Sequence, residues 1–155
     1  MKYFLYTKGS CDNRSAYREG AYAFILLDEQ KNVVKQFSKG TIGSTNNIAS
    51  LKAIVEGCRA VPEKNAEVIV FSDNQYAINI LSGFWTASAN RDLLDRHRLD
   101  RKRLNIHYKW INNKEKAKFN TLAISLVNAA TEEMRLTHNI NKRESHKIFK
   151  KYYKK

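Results

Sequence analysis

The chain has 155 residues, of which 43% are hydrophobic, so it is long enough for one well-buried core and too short for two ordinary domains. Its formal net charge of +13 predicts a polyanionic partner, with nucleic acid the leading candidate and an acidic membrane surface the lesser one. No apolar run approaches the roughly 20 residues that span a bilayer and no signal peptide is evident, so we expect a cytoplasmic protein without a membrane role.

The first forty residues predict three antiparallel strands. Residues 3–7 are apolar and aromatic, residues 21–28 form a second apolar run, and residues 33–39 alternate as a half-solvated strand does. The polar stretch DEQKN between the second and third runs fits a turn. The first strand is predicted to end at a Gly-Ser turn that carries Lys8.

The middle of the chain predicts a helix, a buried strand and a second helix. Residues 48–61 carry apolar side chains at helical spacing, and Pro62 marks the end of that helix. Residues 67–71 form a continuous apolar run typical of a fully buried strand. Asp73 follows directly, at the start of a helix through residue 81, where it is expected to act as helix N-cap, as a charge partner, or as both.

The last third predicts a helix at 91–103, a strand at 106–111 and a helix at about 117–136. The residues expected on their inner faces are Leu93, Leu94 and Leu99 in the first helix and Leu122, Leu126 and Val127 in the second. Residues 1–137 are expected to form the domain. Residues 138–155 are expected to form a basic tail that binds nucleic acid, is disordered, or packs its aromatic residues onto the domain.

Five short segments, in a fixed order along the chain, together match the motifs of a known protein family. They are YTKGS at 6–10, TNN at 45–47, SDNQY at 72–76, YKWI at 108–111 and NTLAISLV from residue 120. In order and spacing they resemble the ribonuclease H family, in which the first segment reads TDGS and the last has Ala-Asp after its Asn. The resemblance covers roughly residues 1–128. It implies an α/β fold of the ribonuclease H type, with a five-stranded mixed sheet flanked by helices in the order βββαβαβα.

The resemblance also implies a site that has lost most of its acids. The family's reaction uses four carboxylates that hold two magnesium ions around a phosphodiester. Asp73 is retained, whereas Lys8, Ser50 and Ile124 occupy the other three positions, with Ala123 or Ser125 replacing Ile124 if the register slips. We therefore expect no cofactor, and magnesium only if the chain is a nuclease with an unusual ligand set.

Lys8 puts a positive charge where the family places a metal ligand. We expect an ion pair between Lys8 and Asp73 across adjacent parallel strands, which would let a phosphate approach without magnesium. The alternative is that Lys8 extends into solvent, since exposed pairs contribute little.

Other titratable residues are expected to play no part in a metal site. The acids available to rebuild one are Asp12, Glu19 and Glu56, and such a rescue is the minor alternative. The four histidines lack ligand spacing and are expected to be solvated surface residues: His97, His107, His138 and His146.

The polar residues at the helix starts resemble the family's duplex contacts. Asn46, Asn47 and Gln75 match positions that read the shallow minor groove of an A-like duplex, where RNA 2′-hydroxyls are displayed. Turn chemistry before a helix is an equal alternative for the asparagines. By the same resemblance Thr45 contacts a phosphate, and Lys114 replaces a histidine in a mobile loop.

Basic residues in two segments are expected to contact phosphates. The first segment lies near the place where some family members carry a basic, aromatic handle, just after Trp85, and contains Arg91, Arg96, Arg98, Arg101, Lys102 and Arg103. The second is the tail, with Lys147, Lys150, Lys151, Lys154 and Lys155 interleaved with Phe149, Tyr152 and Tyr153.

The sequence therefore predicts a nucleic-acid binding module that binds an RNA/DNA hybrid or RNA-containing duplex without cleaving it. Two alternatives remain. One is a metal-dependent hybrid nuclease with an unusual ligand set, and the other is a structural or subunit-like domain that holds a protein partner.

Overall fold

A computed structural model describes residues 1–86, 88–112 and 117–152. The strands are β1 (Lys2–Cys11), β2 (Gly20–Leu27), β3 (Val33–Thr41), β4 (Glu67–Ser72) and β5 (Asn105–Trp110). The helices are α1 (Asn46–Arg59), α2 (Gln75–Leu81), α3 (Arg91–Arg103), α4 (Lys118–Thr137) and α5 (Lys142–Tyr152). Through α4 this is the predicted order of strands and helices, with both α2 and α3 between β4 and β5.

The five strands form one mixed sheet in the order β3-β2-β1-β4-β5. β1, β2 and β3 are antiparallel neighbours, because short connections join them. β4 is parallel to β1, and β5 is parallel to β4, because each of these connections crosses over through helices. The parallel strands therefore end together at one edge of the sheet, next to the beginnings of α1 and α2.

β1 is longer than the sequence predicted. Its parallel pairing with β4 stops at Tyr6, but its antiparallel pairing with β2 continues to Cys11. Gly9 therefore lies within the strand and not in a turn. It permits close packing of β1 on α1, since a Cβ at Gly9 would lie 2.2 Å from the carbonyl carbon of Ala49. Lys8 thus projects from a rigid strand just beyond the end of β4.

The core lies on both faces of the sheet. Every residue of β2 is buried, because α1 packs on one face of this strand and α4 on the other. On the α4 side, Val127 is buried and the half-buried Leu122 and Leu126 pack against residues of β2. The predicted inner face of α4 is confirmed.

The predicted inner face of α3 is partly wrong. Leu93 and Leu94 pack against the core, but Leu99 is 67% exposed. The buried positions are His97 and Asp100, which follow Leu93 at helical spacing and place Leu99 on the opposite side. His97 hydrogen-bonds to the hydroxyl of Tyr108, so it is not the solvated histidine that we expected.

The tail is helical over residues 142–152, so disorder is the wrong expectation for this part. α5 attaches to the β1–β2 loop through polar residues. The buried Ser145 hydroxyl hydrogen-bonds to that of Ser15 and accepts from the backbone N–H of Ala16 at 3.0 Å. His146 Nε2 lies 2.7 Å from Asp12 Oδ2, which corrects the expectation of a solvated histidine here as well.

The same loop is held by α4. Arg135 contacts Glu19 Oε2 at 2.6 Å and Asp12 Oδ2 at 3.2 Å, and Glu19 is fully buried. Burial alone would raise the pKa of Asp12, but the hydrogen bond from His146, the backbone N–H of Arg14 and the charge of Arg135 hold that pKa below its usual value. Asp12 and Glu19 therefore serve to join the loop to two helices.

None of the helices in the described parts of the chain combines the length and apolar character that crossing a bilayer requires.

Candidate nucleic-acid interface

A polar cleft of about 460 Å³ opens where β1 and β4 end against the beginnings of α1 and α2. It is lined by Lys8, Gly9, Ser10, Asn46, Asn47, Ser50, Asp73, Asn74 and Gln75. The fold thus brings together six of the predicted site residues from three separate segments of the chain. Ile124 and the basic residues of α3 and α5 do not line the cleft.

The expected ion pair is present at the centre of this cleft. Lys8 Nζ lies 2.5 Å from Asp73 Oδ2, and the two side chains are only 15% and 12% exposed. The pairing follows from the sheet, because β1 extends past the last β4 residue with which it pairs. Lys8 is therefore not directed into solvent, and its ammonium neutralises the carboxylate of Asp73.

Asp73 is not the helix cap. Asn74 caps α2, since its side-chain oxygen accepts from the N–H of Ala77 at 2.9 Å. The carboxylate of Asp73 is therefore available for Lys8. The indole N–H of Trp110 donates to the backbone carbonyl of Asp73 at 3.1 Å and ties the end of β5 to the site. Asn74 and Trp110 were not among the predicted site residues, although an Asn directly before a helix is a recognisable capping signal.

The other two replaced positions carry no acid into the cleft. Ser50 is buried, and its hydroxyl donates to the carbonyl of Gly9 at 3.2 Å. Ile124 is half-buried on α4 and does not line the cleft. The neighbours that a register slip would substitute are a buried core residue, Ala123, and an exposed residue, Ser125.

The cleft does not fit the magnesium ions that the resemblance implies. Two such ions need several oxygen ligands, most of them charged, and here an ammonium contacts the single carboxylate. In the described ranges, no three residues among His, Cys, Asp and Glu lie together as a metal site would require. Asp12 and Glu19 are bound to Arg135 outside the cleft, and Glu56 lines another depression, beside Phe37.

The polar residues at the start of α1 serve the fold, and the two asparagines among them also line the cleft. Thr45 is the N-cap of α1, and its hydroxyl accepts from the N–H of Ile48 at 3.1 Å. Asn46 Oδ1 accepts from the N–H of Cys11 at 2.7 Å, and Asn47 Oδ1 accepts from the amide of Asn74 at 3.0 Å. The side chains of all three residues therefore make hydrogen bonds that stabilise the fold. These bonds use the oxygens of the two amides and direct the same side chains along the cleft wall.

The basic residues of α3 divide into two groups. Arg91, Arg98 and Arg101 are exposed and line a cavity of about 260 Å³ between α2 and α3, next to Trp85. Lys102 is also exposed. Arg103 differs, because its guanidinium donates to the carbonyls of Val61 at 2.8 Å and Cys58 at 3.1 Å and pairs with Asp100. Arg103 therefore holds the end of α1 and is not available for phosphates.

The basic residues of α5 lie on the surface. Lys150 and Lys151 are exposed. Lys114, Lys154, Lys155 and Tyr153, to which we also assigned contacts with nucleic acid, lie outside the described residues.

The sheet order and crossovers define an α/β protein of the ribonuclease H class, and comparison with known proteins agrees. The family model described as RNase H matches residues 1–147, and the chain belongs to this family.

Curated relatives are similar over different lengths. A ribonuclease H of Caldicellulosiruptor saccharolyticus is 35% identical over 81 residues, which are 52% of each chain. One of Campylobacter curvus is 36% identical over 80 residues, covering 52% of this chain and 50% of the relative. The match thus spans about half the length of these relatives. A ribonuclease H of Herminiimonas arsenicoxydans is 28% identical over 141 residues, covering 83% of this chain and 93% of the relative.

Solved structures show the same fold at low identity. An N-terminal RNase H domain from Mycobacterium tuberculosis has a TM-score of 0.72 and 18% identity, covering 88% of this chain and 98% of that one. LC11-RNase H1, solved in complex with an RNA/DNA hybrid, has a TM-score of 0.68 and 18% identity, covering 85% of this chain and 98% of that one.

Proposed function

We propose that this protein binds an RNA/DNA hybrid, or another RNA-containing duplex, without cleaving it. The observation that carries the proposal is the Lys8–Asp73 ion pair at the centre of the cleft. It replaces a cluster of negative charge with a nearly neutral site, so a phosphate can approach without a metal to offset repulsion. For hydrolysis, in contrast, the cleft lacks the carboxylates that would organise two metal ions.

The cleft wall supports a preference for RNA. Asn46, Asn47 and Gln75 present amides, which both donate and accept as a 2′-hydroxyl does. One solved relative of the same fold was crystallised with an RNA/DNA hybrid. We also propose that the Thr45 hydroxyl, which accepts a hydrogen bond as the cap of α1, donates to a phosphate of the bound duplex.

Affinity in this proposal comes from basic residues outside the cleft. The exposed arginines of α3 and lysines of α5 neutralise phosphates and release counterions, without choosing a sequence. We further propose a cytoplasmic protein whose ribonuclease H-like domain, residues 1–137, needs no cofactor and whose basic segment, residues 138–155, adds phosphate contacts.

The test is a cleavage assay and a binding titration on the same RNA/DNA hybrid, with magnesium and with manganese. We expect binding and an intact hybrid under both conditions. Metal-dependent cleavage that disappears in Asp73→Asn would refute the proposal in favour of a nuclease with an unusual ligand set. Absence of binding at low salt would leave a protein partner as the better account.

A matched pair of variants tests whether the cleft is the binding site. Lys8→Gln leaves the Asp73 carboxylate unpaired where a phosphate is expected, so it should weaken hybrid binding. Lys35→Gln removes the same charge from an exposed position on β3, away from the cleft, and should have a much smaller effect. Equal effects of the two changes would show that the cleft does not hold the duplex.

A further inference from the structure

Three arginines of α3 line the cavity of about 260 Å³ between α2 and α3, which we call the arginine cavity. Arg91, Arg98 and Arg101 recur at helical spacing, so their side chains lie on one side of α3. Gly83, just after α2, has a φ of +83°, and a Cβ there would lie 3.2 Å from Arg101 Nη1. The glycine therefore leaves room for that guanidinium at the cavity wall.

The lining of the arginine cavity has excess positive charge. Asp95 is the one carboxylate among the lining residues, and it contacts Arg98 at 3.5 Å. Both of these side chains are mostly exposed, so the pair is weak. Neither Arg91 nor Arg101 pairs with a carboxylate in the described ranges. The lining therefore carries a net charge of +2, which an anionic ligand would offset.

This charge fits a phosphate monoester better than a phosphate within a strand. A monoester carries a charge of about −2 at pH 7, whereas a phosphodiester carries about −1. Guanidinium groups also bind phosphate oxygens through two parallel hydrogen bonds each. A cavity with three arginines and one weakly paired carboxylate is thus suited to a terminal phosphate.

The rest of the arginine cavity is apolar. Ile80 and Leu81 of α2 are buried in its wall, and Leu94 of α3 is half-buried there. Trp85 lines it too, held beside α2 because its backbone N–H donates to a carbonyl of that helix at 2.9 Å. Its side chain is 48% exposed and inclined at 60° to the ring of Tyr76, so these two rings do not stack on each other. An indole beside aliphatic side chains suits a nucleic-acid base.

We propose that the arginine cavity binds a nucleoside monophosphate, with the phosphate at the arginines and the base against Trp85 and the apolar wall. A free nucleotide and the phosphorylated end of a strand present this same chemistry. The volume lies near the lower end of small-molecule sites, roughly 300–1,000 Å³, so it suits one nucleotide. The inference goes beyond the proposed function, because it requires neither a duplex nor the cleft at the other end of α2.

Calorimetric titration with adenosine 5′-monophosphate (AMP), adenosine and inorganic phosphate tests the proposal. AMP should bind at least about tenfold more tightly than either fragment, because it makes both sets of contacts at once. Trp85→Leu keeps an apolar side chain but removes the ring. It should weaken binding of AMP about fivefold and leave binding of inorganic phosphate nearly unchanged.

Two double variants separate the arginine cavity from the general charge of α3. Arg98→Gln with Arg101→Gln should weaken binding of AMP about tenfold or more, because it removes two of the three guanidinium groups. The control, Arg96→Gln with Lys102→Gln, removes equal charge from exposed positions of the same helix that do not line the cavity. It should have a clearly smaller effect. All four changes are on the surface, so they remain informative if Trp85→Leu destabilises the fold.

A single DNA strand with a 5′-phosphate, compared with the same strand ending in a 5′-hydroxyl, identifies the source of the ligand. Tighter binding of the phosphorylated strand, lost in Arg98→Gln with Arg101→Gln, would support a strand end. Binding of AMP with equal affinity for the two strands would support a free nucleotide.

Three results would overturn the inference: no binding of AMP, AMP binding no tighter than inorganic phosphate, or equal losses in the two double variants. Failure of hybrid binding would refute the proposed function alone. Absence of AMP binding would refute this inference alone, because AMP is measured without a duplex.

Discussion

At the residue scale, position 8 decides what the cleft can hold. An ammonium there contacts Asp73 at 2.5 Å, so the Asp73 carboxylate is already paired with a cation. Ser50 is engaged with the backbone of Gly9, so it too is committed to a structural contact. The centre of the cleft is therefore an ion pair with little net charge.

Restoring the acids should restore metal binding. The triple variant Lys8→Asp, Ser50→Glu, Ile124→Asp is expected to bind magnesium or manganese in calorimetric titration, because it returns oxygen ligands to a site with a free Asp73. Adding Asp73→Asn should abolish that binding. The double variant without the change at Ile124 reports whether α4 contributes a ligand. If the triple variant binds no more metal than the parent, our assignment of these positions to the family's ligands is wrong.

His97 should make stability depend on pH. Burial, followed by the charge of Arg101, lowers the pKa of His97 from 6.5 to about 4. The unfolded chain therefore takes up a proton that the folded chain refuses as pH falls from 6.5 towards 4. The stability is fully present above pH 6.5, and roughly 2 kcal/mol should be lost between pH 7 and pH 5.

Urea unfolding at pH 7 and at pH 5 measures this effect. His97→Gln should reduce the pH dependence by that amount. His107→Gln changes a histidine whose side chain is 54% exposed, so most of the pH dependence of stability should remain in that variant. The same pH dependence in His97→Gln and in the parent would contradict the assignment.

At the element scale, Arg135 joins α4 to the β1–β2 loop, to which Ser145 and His146 attach α5. Its guanidinium contacts Glu19, Asp12 and Glu132, of which Glu19 is fully buried. Arg135→Gln leaves a buried carboxylate without its cation, so we expect a loss on the order of 3–5 kcal/mol in the free energy of unfolding.

Glu132→Gln is the matched control for Arg135→Gln. Its side chain is 62% exposed and contacts the same guanidinium, so this change should cost about 1 kcal/mol or less. Both values come from urea unfolding at neutral pH. Similar values for the two variants would mean that the buried contact with Glu19 does not dominate.

α5 should affect the salt dependence of binding more than its specificity. Changing its exposed residues Lys147, Lys150 and Lys151 to glutamine should flatten the plot of log affinity against log salt, by up to about 0.9 for each phosphate that is no longer neutralised. Attachment of the helix through Ser145 and His146 is untouched. An unchanged slope would show that α5 does not contact the nucleic acid.

At the scale of the whole molecule, affinity and selectivity should come from different parts. The net charge of +13 favours any nucleic acid, whereas the amides of the cleft are uncharged. Changing Asn46, Asn47 and Gln75 to alanine should erode the preference for hybrid over DNA duplex and leave the salt slope nearly intact.

Competition binding at several salt concentrations measures both quantities. Gln75→Ala alone is the cleaner probe, because Gln75 is exposed whereas Asn46 also holds the backbone of Cys11. Equal binding of all duplexes by the parent protein would exclude recognition of RNA by the cleft.

The order of strands and helices could be predicted from the sequence alone. Strands and helices leave local signatures, such as the apolar run EVIVF in β4 and helical spacing in α1. The motif around Asp73 made it possible to place Lys8 beside it, and the structure confirms that contact. Short-range patterns were sufficient for the strands and helices because these depend on residues close together in the chain, whereas the contact between Lys8 and Asp73 followed from the family resemblance.

Only the tertiary structure decided several other features that depend on contacts between different elements. The bond from Arg135 to Glu19 spans 116 positions, so no local pattern indicates that Asp12 and Glu19 are structural. The extension of β1 depends on pairing with β2, and the burial of His97 depends on its contact with Tyr108.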